Sequence, residues 1–382
     1  MTKPLEGYRV ADFSHVMAGP YATHLLCLLG AEVIKIESPA GDAFRAYRGD
    51  RRFDGMSPAF VAANVGKKSI ALNLKDEADH RIARAIIERC DVLIENFRPG
   101  VIRRLGFSYE HVRAFNPDIV FCSVSGYGQH GPYRDWPAID NIVQATSGMM
   151  MLGGGEGDPP VRVGFPIVDT LTGQTAAIAI LAALLRRERG NGGSYIDVSM
   201  LDASLAFMTS ALTPYLLTGE ELPRMGNTGY SGLPGSALYT ARDGRQVSLG
   251  VVLAKQFEML ARYLGREDWL EDPRYATPEA QRANFDALHE EIAAEIAKRD
   301  AEELEREMSD CGIPCGMVRR VGEAAALVGE GALQDIALDG VPGNGRGAVR
   351  MTPDGPAAQG PPPRLDQDRE EILAWLAEPV RG

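Results

Sequence analysis

The chain has 382 residues, of which 45% are apolar and 24% charged, so its composition excludes a mainly disordered, collagen-like or disulfide-dense protein. At about 100–200 residues per domain, the length fits two domains. Acidic residues outnumber basic ones by 52 to 40, a net charge of −12, which disfavours general binding to nucleic acid or anionic lipid and requires a local basic site for any anionic ligand.

Strand and helix signals alternate through the first 125 residues. Tyr8–Phe13 reads as a strand, Pro20–Leu29 as a helix with Gly30 at its C-cap, and Glu32–Glu37 as a second strand. Ser69–Leu74 is a third strand, followed by a helix over Glu77–Cys90 with Ile82, Ala83, Ile86 and Ile87 on one face. Asp91–Glu95 and Ile119–Val124 are further strands, with helices near Gly100–Leu105 and Tyr109–Phe115 between them. Such repeated βα units imply a parallel sheet with helices on both faces. Asp169–Arg187 reads as a helix rich in small residues, and Ser194–Ser199 as a strand. Antiparallel strands with an Asp243-Gly244 turn are expected within Ala237–Val251. Helices follow near Lys255–Leu264, Pro278–Arg299 and Ala301–Asp310, giving a second, mixed α+β domain. Residues 340–363 are loop-like, and Asp368–Ala377 is a closing helix. The fold class is therefore α/β, a Rossmann-like large domain with a parallel sheet plus a smaller α+β domain.

The longest strongly apolar run, Ala176–Leu185, is shorter than the about 20 residues a bilayer span needs, so no membrane association is expected. The N-terminus shows no signal-peptide core, and five scattered cysteines read as reduced thiols of a cytoplasmic protein. Cys311 and Cys315 are spaced C-x3-C without a second pair or a nearby histidine, and no metal site is expected.

A first strand, a turn and a helix, with Glu37 ending the second strand, invite a dinucleotide reading. The turn, SHVMAGPYATH, carries one glycine where the fingerprint needs three. Gly153-Gly154-Gly155 is not followed by the Lys-Ser/Thr of a P-loop, and no H-E-x-x-H or G-x-S-x-G occurs.

Six segments in order carry a positive signal: VADFSHVMAGPYATHLLCLLGAEVIKIESP (10–39), KKSIALNLK (67–75), DVLIENFRPGVIRRLGF (91–107), SVSGYGQHGPYRDWPAIDNIVQATSG (123–148), GFPIVDTLTGQTAAIAILAALLRR (164–187) and GSYIDVSMLDA (193–203). Together they resemble the class III CoA-transferases, the CaiB/BaiF family, and weaker matches continue to the end of the chain. The resemblance implies a transferase that moves coenzyme A from an acyl-CoA to a carboxylic acid without a further cofactor. It implies Asp169 as nucleophile, forming an aspartyl-CoA thioester through mixed anhydrides. An acid at a helix N-terminus also meets the positive end of the macrodipole, which favours its ionised form, and aspartate is equally a common N-cap.

By the same resemblance His15, Val16, Ala18, Leu72, Lys75, Asn96, Phe97, Arg104 and Met200 line the CoA site, with Lys75 and Arg104 supplying positive charge. Core packing for Leu72 and Phe97, and solvated surface charge for the two cations, are the ordinary alternatives. The family's interlocked ring-shaped homodimers imply a discontinuous large domain. Residues 1–205 would form its first part, 206–235 a linker, 236–327 the small domain, and 328–382 the return linker and the rest of the large domain.

Three positions depart from the family's best-known pattern: Met17 for glutamine, Ser38 for arginine, and a lone Gly250 for a glycine run. These departures speak against oxalate as acceptor. The segment FRAYRGDRRF places Arg45, Arg48, Arg51 and Arg52 close together. Arg45 or Arg48 is a candidate clamp for the second carboxylate of a dicarboxylic substrate such as succinate; the alternative is a solvated loop paired with Asp42, Asp50 and Asp54. Two further activities stay open, intramolecular CoA transfer within one diacid and α-methylacyl-CoA racemisation. The second needs a histidine where this chain has Ile139.

Overall fold

Runs of β-branched and aliphatic residues form six parallel strands: β1 Arg9–Asp12, β2 Glu32–Glu37, β3 Lys68–Ala71, β4 Val92–Glu95, β5 Val120–Ser125 and β6 Ser194–Ser199. The structure is a computed structural model describing residues 3–48, 53, 55–328, 349, 351–352 and 354–379. The spatial order is β3-β2-β1-β4-β5-β6, the order of dinucleotide-binding folds. Every residue of β4 and β5 is buried, as expected for parallel strands covered on both faces. One face packs Val10, Val33 and Val120 against the Ala18–Leu28 and Ile167–Arg186 helices. The other packs Ile34, Leu93 and Phe121 against the Glu77–Glu88 and Tyr109–Phe115 helices and the closing Arg369–Ala377 helix.

The chain divides into two units. One comprises Met1–Met149, Arg162–Glu220 and Val328–Gly382, and the other Met150–Val161 and Glu221–Leu327. The large unit is therefore discontinuous. Two boundaries differ from the sequence expectation. Residues 150–161 belong to the smaller unit, and much of 206–220 is helical, including Thr209–Thr218, rather than linker. The second unit holds an antiparallel sheet of β7 Leu238–Thr240, β8 Gln246–Leu249 and β9 Cys315–Met317. Trp269, Tyr275, Leu288 and Ile292 fill its core. The helix expected over Pro278–Arg299 is two, Pro278–Ala283 and Phe285–Ile296, because Asn284 leaves the helical conformation. Residues 340–348, 350 and 353 of the 340–363 loop, with Arg51 and Arg52, lie outside the described residues.

The helix from Ile167 is longer than the apolar run suggested. Ile167–Asn191 is long and apolar enough to cross a bilayer, but half of its most apolar window is buried within the protein. It lies against the Ala18–Leu28 helix, and Gly173 makes the contact possible: a Cβ there would sit 2.6 Å from the Ala18 carbonyl oxygen and 3.2 Å from the Ala22 nitrogen. Asp169 lies one helical turn before Gly173, so this contact also sets where Asp169 points. Replacing Gly173 with valine is expected to destabilise the protein by about 1–3 kcal/mol in urea unfolding and to lower turnover beyond any loss of folded protein. Unchanged stability and turnover would contradict this close packing.

Candidate active site

All six parallel strands end at one edge, and the residues just beyond those ends line two adjoining cavities. The strand order reverses between β1 and β4, where diverging loops leave a crevice. A cavity of about 420 Å³ is lined by Phe13–His15 after β1, Ser38–Ala43 after β2, Leu72–Lys75 after β3, and Phe97 after β4. A second, of about 160 Å³, is lined by His15–Ala18, Asn96–Pro99, Ser125 and Gly126, Met200 after β6, and Asp169. His15 and Phe97 belong to both, their rings 5.4 Å apart. The larger cavity has an apolar lining from Phe13, Ile36, Leu72 and Leu105, with Lys75 exposed beside it. That combination suits a heteroaromatic base carrying phosphates.

The turn after β1 stands in place of a glycine-rich loop. Val16 has φ 68°, a left-handed conformation that is costly for a β-branched residue. Hydrogen bonds hold it on both sides. Asn96 accepts from the His15 nitrogen (2.9 Å) and donates to the His15 carbonyl (2.8 Å). The Asp42 carboxylate accepts from the Val16 nitrogen at 3.1 Å.

Beneath the turn lie four fully buried charges. Lys67 Nζ is 3.0 Å from Asp12 Oδ2, and Lys35 Nζ is 3.1 Å from Asp42 Oδ2. Lys35 also donates to the Ser14 carbonyl in the turn (2.8 Å) and Lys67 to the Pro20 carbonyl in the first turn of the Ala18–Leu28 helix (2.9 Å), so the two lysines grip the backbone of the turn and of the helix it leads into. Burial alone would raise the Asp12 pKa. The charges of Lys67 and Lys35, with hydrogen bonds from Ser14 and Thr23, instead hold it at about 2. Its stabilising contribution is thus present above pH about 4 and is lost as the pH falls toward 2.

Asp169 stands in the first turn of the Ile167–Arg186 helix. The helix is capped by another residue: Asp140 Oδ2, from the Asp140–Thr146 helix, accepts from the nitrogens of Val168 (2.7 Å) and Asp169 (3.2 Å). Gln144 donates to the other Asp140 oxygen (2.6 Å), and Val163 in turn donates to Gln144 (3.0 Å). The expectation that the macrodipole keeps Asp169 ionised is therefore corrected. Asp140 already occupies the positive helix end, and burial together with the Asp140 charge raises the Asp169 pKa to about 7.

The cavities gather His15, Val16, Ala18, Leu72, Lys75, Asn96, Phe97, Asp169 and Met200. Arg104 is exposed on the short Val101–Arg104 helix and lines neither. Arg45 does not serve as a free clamp. Its guanidinium grips Glu37 through two bonds (2.8 and 2.6 Å), donates to the Pro363 carbonyl (2.9 Å) and stacks on Phe60 at 4.0 Å. The same pairing occupies the acid that a dinucleotide enzyme would turn to the ribose. Arg48 is exposed beside Tyr47, away from both cavities.

The chain's sequence matches the profile of CoA-transferase family III over residues 5–369. The chain belongs to that family. It is 37% identical to an acetyl-CoA:oxalate CoA-transferase of Acetobacter aceti, over 98% of this chain and 96% of that one. It is 35% identical to a succinyl-CoA:glutarate CoA-transferase of Mus musculus, over 97% and 86% of the respective chains. A CaiB/BaiF family protein from Brucella suis has a similar structure, with a TM-score of 0.88 at 30% identity, over 98% of this chain and all of that one.

Several residues of this CoA-transferase's site escaped sequence reasoning. Asp42 and Asp140 act on backbone N–H groups far away in sequence, and no local pattern marks such pairings. Glu95 ends β4, where burial raises its pKa to about 7, and accepts from the Phe97 nitrogen at 2.8 Å, fixing the turn that presents that ring. Trp136 and Arg134 line the Asp169 cavity from the loop after β5. The buried charges give a direct test. Lys67→Met leaves Asp12 buried without its partner and should cost about 3–5 kcal/mol of stability. Adding Asp12→Asn should restore a substantial part of the loss in urea unfolding. Additive losses in the double variant would refute the pairing.

Proposed function

We propose that this CoA-transferase moves coenzyme A from an acyl-CoA to a dicarboxylic acid through an aspartyl-CoA thioester on Asp169. The observation that carries the reading is the half-buried Asp169 carboxylate sharing one cavity with the His15 turn, Asn96, Phe97 and Met200. The Asp169 carboxylate attacks the thioester carbonyl and CoA leaves as thiolate, giving a mixed anhydride. The thiolate then attacks the Asp169 carbonyl and releases the donor acid. The acceptor acid repeats the two steps in reverse. One thioester replaces another, so the exchange needs neither ATP nor metal. The nucleotide portion of CoA lies in the larger cavity, over Leu72 and near Lys75, and its thioester reaches past His15 and Phe97. Ile139, beside Asp169, cannot carry a proton, which argues against racemisation.

Two relatives carry oxalate and glutarate in their names, and both acids have two carboxylates. Oxalate therefore stays among the acceptors to test, despite Met17 and Ser38. With Arg45 engaged, Arg134 and Arg98 in the Asp169 cavity are the cations available to a second carboxylate. A homodimer belongs to the same reading, since Ile178, Phe207, Leu216 and Leu217 are 59–80% exposed and offer apolar surface to a second copy. A cytoplasmic location also belongs to it, given the buried free thiols of Cys27, Cys90 and Cys122.

Asp169→Ala should lower CoA transfer at least about 10³-fold while acyl-CoA binding persists. Mass spectrometry of wild type incubated with acyl-CoA and then hydroxylamine should find the label on Asp169. A label on another residue would refute the mechanism. In free enzyme, kcat/KM should rise with pH through about 7 as Asp169 ionises. Asp140→Asn removes a neighbouring negative charge and should move that midpoint to lower pH. An unmoved midpoint would show that Asp140 does not tune the nucleophile.

A further inference from the structure

Ser125 is the last residue of β5, where it pairs in register with Ser199 of β6. The two serines use their hydroxyls differently. Ser199 caps the Met200–Phe207 helix by accepting from the Asp202 nitrogen at 3.2 Å. The Ser125 oxygen is buried with no hydrogen-bond partner among the described residues, on a residue only 7% exposed. Burying an unpaired hydroxyl is unfavourable, and a side chain needed only for packing would not require one. Ser125 lines the same cavity as Asp169, Gly126 and Met200, so whatever enters there packs beside it.

We propose that Ser125 is a catalytic residue whose hydroxyl donates a hydrogen bond to the acyl carbonyl oxygen when Asp169 attacks. The proposal rests on the Asp169 mechanism above. An acyl group under attack by Asp169 must occupy this cavity, and it brings a carbonyl oxygen and a sulfur within reach. Oxygen is much the better acceptor. As the Asp169 oxygen bonds to the acyl carbon, the carbonyl π pair moves onto that oxygen, where a fixed donor is most effective. The oxyanion then collapses, the C–S bond breaks and CoA departs as thiolate. Ser125 keeps its proton throughout, and the same hydrogen bond serves the reverse steps. A donor aimed instead at the Asp169 carboxylate would stabilise the charge the reaction consumes and slow the attack.

The test compares wild type with Ser125→Ala and Ser125→Thr. The substrate pair is whichever wild type turns over fastest among acetyl-, formyl- and succinyl-CoA against oxalate and glutarate. Ser125→Ala should lower kcat by about 10²-fold, leave KM for the acyl-CoA within about threefold, and melt no lower than wild type. Ser125→Thr, which keeps the hydroxyl, should recover most of the loss. A Ser125→Ala kcat within twofold of wild type overturns the proposal. So does a loss matched by a lower melting temperature and not recovered by threonine, because that is the signature of packing. Hydroxylamine labelling of wild type separates the two levels. Label on Asp169 with normal turnover in Ser125→Ala removes Ser125 alone, whereas no label on Asp169, or no turnover of any pair, removes the mechanism and Ser125 with it.

Discussion

The structure around the site depends on one buried arrangement, two lysines and two aspartates beneath the turn after β1. Lys67 faces Asp12, Lys35 faces Asp42, and none of the four side chains reaches solvent. Buried charges are costly unless paired and hydrogen-bonded, and here the additional bonds go to the turn and to the start of the helix that follows it. Lys35 holds the Ser14 carbonyl, Lys67 the Pro20 carbonyl, and Asp42 the Val16 nitrogen. A glycine-rich loop reaches a left-handed conformation at little cost. This chain places Val16 there and secures it through charges drawn from β1, β2 and the segments that follow β2 and the Pro58–Asn64 helix. The turn is consequently rigid at the point where β1 and β4 diverge, and His15 and Phe97 are held between the two cavities.

A second electrostatic arrangement surrounds Asp169, the proposed nucleophile. A helix N-terminus offers a limited set of free N–H groups, and Asp140 takes those of Val168 and Asp169. Burial, and after it the Asp140 charge, raises the Asp169 pKa to about 7. A more basic carboxylate is a better nucleophile toward a thioester, and at neutral pH a large fraction of it remains ionised. Gln144 and Val163 extend the arrangement by orienting Asp140. The environment thus separates two aspartates, Asp140 as helix cap and Asp169 as the proposed nucleophile, its carboxyl made less acidic by burial and by the Asp140 charge.

The parallel sheet was legible in the sequence because its signals are local. Apolar strands, C-cap glycines and amphipathic helices place β2 and β6 at their observed bounds and most other elements within a few residues. Pro58–Asn64 was missed although Ser57 and Pro58 form a recognisable helix start. Asp140–Thr146 has no such signal, since Ile139 precedes it without a side-chain cap. The residues gathered at the strand ends followed from resemblance, not from pattern. Arg45 shows the limit: a cluster of arginines reads equally as an anion clamp or as ion pairs, and only the fold reveals that Glu37 and Pro363 claim its guanidinium. Residues 150–161 illustrate a topological limit: the Gly- and Pro-rich run GGGEGDPP reads as a loop, but its composition does not say which unit that loop joins.

The proposed site holds coenzyme A across the carboxyl ends of the parallel strands, over a turn secured by buried charge. Amide hydrogen exchange with and without saturating CoA tests it directly. Exchange should slow in residues 13–18, 38–43, 72–75 and 96–98, the segments that line the two cavities. CoA binding that leaves these segments unchanged, with protection confined to residues 221–327, would contradict it.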